Sequence, residues 1–324
     1  MRFSVLKEIY GQPWQIEAGT FQQFFPLAVG AMQGADFVPE PEPRENLPYC
    51  LHPVTLETLA WQPAAGLKGG SVASATGSGI PQPKVVSIIP VRGLMLRHDQ
   101  ACGPVGTRTL AARLQEADQH DSILGHVLVF DTGGGSANSV PELAQAITGC
   151  SKPVVAWVDG MMCSAGQFAG SYCREIIASR ENDLVGSIGT MMVYEGRKAL
   201  SEEDQNRVIH LRIYADDASQ KNQEYEAAIN QYNFSLVRER VLNPHNLEFV
   251  NAIRANRPGV EEQHLHGRTF RAQEVLGALV DSIGSLEDAV RRVAELAGFD
   301  PQSQAGDQQQ SQSQDNTGVS AVPA

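Results

Sequence analysis

The sequence predicts an α/β fold in which parallel strands are joined by crossover helices. Short β-branched and apolar runs recur between residues 84 and 192, and segments of helical periodicity separate them. Parallel neighbours need connections of that length, whereas antiparallel ones can be joined by a tight turn. In addition, small residues gather directly after three of the predicted strands.

Taken in order, Lys84–Val91 (KVVSIIPV) is a strand, and Thr107–Ala117 places Leu110, Ala111, Leu114 and Ala117 at helical spacing. Gly125–Asp131 (GHVLVFD) is a second strand and Ser139–Ile147 a second helix. Pro153–Asp159 (PVVAWVD) is a third strand, followed by a small-residue helix from Ser164 and a glycine-bracketed strand over Val185–Met192. Glu224–Arg240 reads as one longer helix, with Tyr225, Ala228, Ile229, Tyr232, Leu236 and Val237 on one side. Glu274–Val280 and Leu286–Ala297 read as two closing helices.

Four zones follow. Residues 1–62, rich in proline and acids, form an N-terminal extension. Residues 63–83, with their Gly, Ser, Ala and Pro, read as a flexible linker. Residues 84–300 are the folded domain, and the Gln/Ser-rich stretch 301–324 has too little to bury and is expected to be disordered.

Composition excludes several functions. With 25 Lys and Arg against 37 Asp and Glu, the formal charge is −12, so there is no basic stripe for nucleic acid. The five cysteines are odd in number and lack ligand spacing, and no HExxH is present. Reduced thiols in a cytoplasmic compartment are expected, with no disulfide framework, no metal and no cofactor. The first residues lack a secretory pattern, and the apolar run Phe24–Met32 is too short to span a bilayer. The expectation is a soluble protein with no transmembrane segment.

Three stretches could carry chemistry. In FDTGGGS (130–136), three glycines let the backbone approach a ligand and turn its N–H groups outward; a plain strand-to-helix turn explains it equally well. In DGMMCSAGQFAGS (159–171), Ser164 stands where a helix begins, with the Ala165 N–H beside it. It is either a nucleophile or an N-cap. In VGSIGTMM (185–192), Ser187 either faces a cleft or sits in a tight turn. Cys163 has no histidine near it in sequence and reads as a buried, inert thiol. A serine nucleophile needs a base. The nearest downstream histidine is His210, and only two lysines follow Ser164: Lys198, in a charged stretch, and Lys221, in DDASQKNQEY.

In this order the pieces resemble the signal peptide peptidase A (SppA) family of serine peptidases, within the ClpP/crotonase superfamily, and above all its bacteriophage head-maturation branch. FDTGGGS is similar to a strand followed by S/T-P-G-G, and SKPVVAWVDGMMCSAGQFAGSYCREIIAS to K-P-V-x-A…S-[GA]-G. VGSIGTMM is similar to G-S-I-G-V. IYADDASQKN falls where the family bears its lysine, and GRTFRAQEVLGALVDSIGSLEDAV is similar to the closing G-R-x-[YF]…G-L-V-D-x-[IL]-G pattern. Gly133 stands in place of the usual proline and Ala165 in place of glycine, and Asp216 and Asp217 precede Lys221. The resemblance implies a ClpP/crotonase-like fold and a Ser164–Lys221 dyad. It also implies an oxyanion hole from the N–H groups of Gly134, Gly135 and Ala165, with Ser187 supporting the lysine. It further implies protein substrates (capsid, scaffold or portal proteins), a homo-oligomeric ring, no membrane anchor, and a place in the host cytoplasm or procapsid. Two rivals remain: a crotonase-type acyl-CoA enzyme, and an inactive ring-forming assembly protein.

Overall fold

The computed structural model describes residues 13–17, 19–22, 44–59, 83–100, 104–192, 220 and 222–300. Its strands are β1 (Trp14–Ile16), β2 (Tyr49–Leu51), β3 (Thr58–Leu59), β4 (Val85–Arg92), β5 (Ile123–Thr132), β6 (Gly134–Ser136), β7 (Val154–Cys163), β8 (Glu175–Ala178), β9 (Leu184–Gly186), β10 (Thr269–Arg271) and β11 (Ser282–Ile283). The helices used below are α1 (Thr107–Asp118), α2 (Val140–Gly149), α3 (Ala165–Ser171), α4 (Gln223–Gln231), α5 (Asn243–Asn256) and α6 (Leu286–Leu296).

Among the described residues, the main sheet runs in the order β10-β9-β7-β5-β4-β2-β3, with β8 and β11 branching from β7. The β4·β5, β5·β7, β7·β8 and β7·β9 pairs are all parallel. Helix α1 crosses from β4 to β5, α2 from β5 to β7, and α3 from β7 to β8. This is the predicted α/β architecture.

Helices cover both faces, which is why the central strands read as near-continuous apolar runs. Alternate side chains go to opposite sides. Ile89, Val91, Leu128, Phe130, Ala156 and Val158 pack with Leu114 of α1, Leu143 of α2 and Phe249 of α5. Ile88, Val127, Val129 and Val155 pack with Ala289, Val290 and Val293 of α6. Helix α6 starts where S-L-E-D says it should. Ser285 Oγ accepts from the Asp288 N–H at 3.2 Å, and Asp288 accepts in return from the Ser285 N–H at 2.9 Å.

Several elements differ from the sequence reading. The helix expected over Glu224–Arg240 is interrupted: α4 stops at Gln231, and Tyr232 takes the left-handed conformation at φ 52. The chain resumes as a short turn, Ser235–Val237, and a π-turn, Arg238–Leu242, leading into α5. The sequence reading missed α5. Pro244 sits in its first turn, where a missing N–H costs nothing. Of the helix expected over Glu274–Val280 only a 3₁₀ turn, Ala272–Val275, forms. Gly277 (φ 78) reverses the chain, and its N–H bonds Val280 O at 2.8 Å, tucking Leu279 and Val280 into the core. The strand expected over Val185–Met192 is confined to Leu184–Gly186, because Gly186 and Ser187 both have positive φ. Residues 44–59, assigned above to the N-terminal extension, join the main sheet: β2 pairs antiparallel with β4 along Tyr49–Leu51. The linker 63–82, the 301–324 tail, His210, Lys198 and Lys221 all lie outside the described residues.

A buried polar chain lies near the amino ends of the parallel strands. Ser87 Oγ is 2.7 Å from His126 Nδ1, and His126 Nε2 is 3.2 Å from Asp118 Oδ1. Ser87 and His126 are fully buried. Burial pushes the His126 pKa down to about 4, against the opposing pull of Asp118. The unfolded chain therefore takes up a proton that the folded chain refuses. This contribution to stability is complete above about pH 6.5 and is lost as pH falls toward 4, with a slope of up to about 1.4 kcal/mol per pH unit. Urea midpoints measured from pH 7 to 4 should show that slope, and His126→Asn should flatten it. Phe249 is wholly buried, its ring 5.1 Å from that of Phe168. Phe249→Ala should destabilise the protein by about 3–5 kcal/mol, read by the same unfolding measurement.

Candidate active site

The carboxyl ends of β5 and β7 are where α/β sheets place their ligands, and here both ends are built irregularly. Phe130 lies opposite Val158, but Thr132 lies opposite Met162, so the intervening residues of β7 bulge out of register. At the same bulge β7 changes partner: Val155–Val158 pair with β8, and Met161–Cys163 with β9. The end of β7 is thereby carried toward the turn that follows β5.

That turn is pinned by Thr132, whose hydroxyl donates to Gly93 O at 2.5 Å and accepts from the Gly134 N–H at 3.0 Å. Gly134 has φ +99. A Cβ placed on it would sit 2.2 Å from Gln15 O, 2.9 Å from Ala165 N and 3.0 Å from Ser164 Cβ. Two other segments, β1 and the residues that open α3, therefore converge on the space a side chain would fill, and only glycine permits it.

Ser164 follows the last residue of β7 and precedes α3. Its N–H bonds Gly186 O at 2.8 Å, and its backbone is forced to φ 54, ψ −114. A non-glycine residue held there costs of order 1–3 kcal/mol, a strain that clusters at functional sites. The N-cap alternative does not hold: the Ser164 side chain makes no capping bond. Its Oγ is fully buried and has no hydrogen-bond partner among the described residues. An unpaired buried hydroxyl on a strained backbone is a costly arrangement for a purely structural serine. A Cβ on Gly166 would meet Thr132 Cγ2 at 2.7 Å, so α3 packs directly against the end of β5.

The other candidates are distributed as follows. Ser187 directly follows Gly186, which pairs with Cys163, so the strand register brings it beside Ser164. Ser187 has φ 53, and its N–H bonds Arg268 O at 2.9 Å. The Ala165 N–H has no acceptor among the described residues. Gly134 spends its N–H on Thr132, whereas Gly135 pairs with Gln15 of β1. Cys163 is buried, and burial pushes its thiol up to about 12, which leaves it a poor nucleophile.

Two residues escaped the sequence reading. Thr132 sets the turn, and Gln167 holds the Gly186 N–H through Oε1 at 3.0 Å, fixing the partner of Ser164. The available signals were a threonine directly before three glycines and a lone carboxamide in the otherwise small and apolar helix AGQFAGS.

Among the described residues, the Asp118–His126–Cys150 group brings metal-type donor atoms within 4.8 Å of one another. Its donors are already committed. Asp118 accepts from the N–H groups of Ser151 and Lys152 and from the Ser151 hydroxyl, and burial pushes the Cys150 thiol up to about 12. No helix among the described residues is long and apolar enough to cross a membrane.

Residues 148–300 match the model of peptidase family S49. The matched span takes in Ser164, Gly186, Ser187 and Lys221. Among curated relatives, the chain is 31% identical over 124 residues to capsid assembly protease C of Escherichia phage lambda, covering 36% of this chain and 28% of that protein. It is 25% identical over 225 residues to protease 4 of Salmonella typhi, covering 65% of this chain and 34% of that protein. The chain thus spans about a third or less of the length of these two relatives. Similar solved structures include ThnE from S. clavuligerus, at 15% identity and TM-score 0.39, covering 66% of this chain and 81% of that one. Another is an enoyl-CoA hydratase/isomerase family member, at 16% identity and TM-score 0.36, covering 72% and 81%. These neighbours are crotonase-type proteins, and likeness at this level says nothing of what this chain binds.

The convergence at Gly134 is testable by substitution. Gly134→Ala should destabilise the fold by about 1–3 kcal/mol or more, from positive φ together with steric overlap. Gly149→Ala, at the end of α2 with nothing within 4 Å of the new methyl, should be neutral or slightly stabilising. Chemical denaturation of the two variants side by side checks the contrast.

Proposed function

We propose that the chain is a serine endopeptidase in which Ser164 is the nucleophile and Lys221 the general base. The observation that carries this reading is the buried Ser164 hydroxyl, without a hydrogen-bond partner among the described residues, on a strained backbone beside Gly134 and the Ala165 N–H. Lys221 comes from the likeness of IYADDASQKN to the lysine-bearing stretch of the family and lies within the matched span.

In this mechanism the neutral Lys221 amine takes the Ser164 proton as Oγ attacks a peptide carbonyl. The Gly135 and Ala165 N–H groups receive the developing oxyanion. Gly134 serves by lacking a side chain, since its own N–H is held by Thr132. The C–N bond then breaks, the lysine returns its proton to the leaving amine, and water hydrolyses the acyl-enzyme. Ser187, beside Ser164, would orient the lysine.

The substrate class we infer is the proteins of an assembling phage head, acted on by a homo-oligomeric ring. The similarity to capsid assembly protease C supports this choice over degradation of signal peptides.

Ser164→Ala should abolish cleavage and labelling by a serine-reactive phosphonate while leaving the fold intact. Mass spectrometry of the purified protein incubated with capsid, scaffold and portal proteins reads out the cleavage. Retained activity in Ser164→Ala, with loss in Cys163→Ser, would overturn the assignment. Lys221→Arg should be inactive at every pH, because a guanidinium cannot accept the serine proton, whereas Lys198→Arg should change kcat/KM by less than about twofold. Full activity in both lysine variants would remove the dyad and bring His210 forward.

A further inference from the structure

Strand β1 lies across the site. Trp14–Ile16 runs antiparallel to Gly134–Ser136, with Gln15 opposite Gly135. The flanking bonds, from the Ala137 N–H to Pro13 O at 3.0 Å and from the Glu17 N–H to Gly133 O at 2.6 Å, set the phase of the ladder. In that phase Gln15 and Gly135 are the pair that exchanges both N–H···O bonds. On its other edge β1 is gripped by Met191: the Trp14 N–H bonds Met191 O, and the Met191 N–H bonds Trp14 O, both at 2.8 Å. The segment is thus an extended strand held on both edges in a trough, with all three of its residues buried.

Its position relative to Ser164 is specific. The Gln15 carbonyl oxygen and Ala165 N both crowd the point where a Gly134 side chain would begin, and Ser164 Cβ is 3.0 Å from it. A backbone carbonyl of the chain itself therefore sits beside the Ala165 N–H, which has no acceptor among the described residues, and next to the proposed nucleophile. Ser164 is fully buried while β1 is in place. The Gln15 carboxamide oxygen is buried there without a partner among the described residues. Such a polar atom gives little reason for β1 to be there as core packing.

We propose that the trough between Gly134–Ser136 and Met191 is the binding site for one extended peptide strand, and that Trp14–Ile16 occupies it as an intramolecular competitor. A protein substrate must displace β1 and re-form its hydrogen bonds, presenting a carbonyl where the Gln15 carbonyl now lies. This rests on the reading of Ser164 as a nucleophile. Because only the fraction of molecules with β1 released can accept a strand, weakening β1 raises apparent reactivity in proportion to that fraction.

The test measures the rate at which a fluorescent phosphonate labels the full chain. Gln15→Pro removes the N–H that faces Gly135, and Ile16→Ala keeps the backbone while loosening its anchor against Leu94 and Leu96. Both variants should label about tenfold faster than wild type or more. A synthetic peptide of the sequence QPWQIEA, added in excess, should slow them again. Circular dichroism establishes that each variant is folded, and Ile16→Ala decides the matter if Gln15→Pro is not. Labelling at the wild-type rate in folded variants would overturn the competitor role while leaving the nucleophile in place. Slower labelling, or unfolding of both variants, would make β1 part of the framework and overturn it as well. Absence of labelling in wild type and folded variants alike would remove Ser164 as nucleophile, and this proposal with it.

Discussion

The site depends on one steric condition: nothing may project from Cα at Gly134. The start of α3 and strand β1 both press on that volume, at 2.2 to 3.0 Å from where a Cβ would lie. A methyl group there would drive the Ala165 N–H away from the turn and push Gln15 out of its pairing. Thr132 enforces the condition from the other side by binding the Gly134 N–H, which fixes the turn at φ +99. The strain at Ser164 is tolerable for a related reason. Its N–H is bonded to Gly186, whose own N–H is held by Gln167. Strain of this kind persists only where surrounding contacts over-determine the backbone.

The body of the fold was legible because parallel strands buried on both faces write themselves as continuous apolar runs. For β4, β5 and β7, and for α1, α2 and α6, the observed bounds fall within a few residues of those read from periodicity. The failures have a common cause in long-range contacts. Strands β1, β2 and β3 are two or three residues each, too short to show a period, and are held extended by pairing, β1 with β6, β2 with β4 and β3 with β2. The interruption at Tyr232 hides in a stretch whose residues all suit a helix. The turn at Gly277 was overridden by the apolar spacing of Val275, Leu279 and Val280, which the core uses in a reversed chain.

The site was legible in part. A serine after a strand and before small residues pointed to Ser164, and the glycines pointed to a close backbone approach. What the sequence left open was whether that serine caps a helix, and the side-chain geometry answers this directly. Gln167 acts on the Gly186 N–H and Thr132 on Gly93 O, both distant in sequence, so the local signals around them did not reveal their partners. The same holds for β1: nothing in PWQIE marks it as a partner for GGS more than 100 residues later, because main-chain pairing carries no side-chain signature.

Two serines of this protein make the contrast between structure and chemistry concrete. Ser87 belongs to a Ser–His–Asp chain, the residue types most often associated with nucleophilic catalysis, yet its hydroxyl is fixed to His126 at 2.7 Å near the amino ends of the strands. Every side-chain polar atom in that chain has a protein partner, and Ser87 and His126 are fully buried, so the arrangement is complete without a ligand. Ser164 stands at the carboxyl end of β7, where neither its hydroxyl nor the Ala165 N–H has a partner among the described residues. Strand β1 lies against that end of the sheet, paired with Gly134–Ser136. Residue type alone would choose the first serine. A hydroxyl with no partner among the described residues, on a strained backbone, sets the second apart.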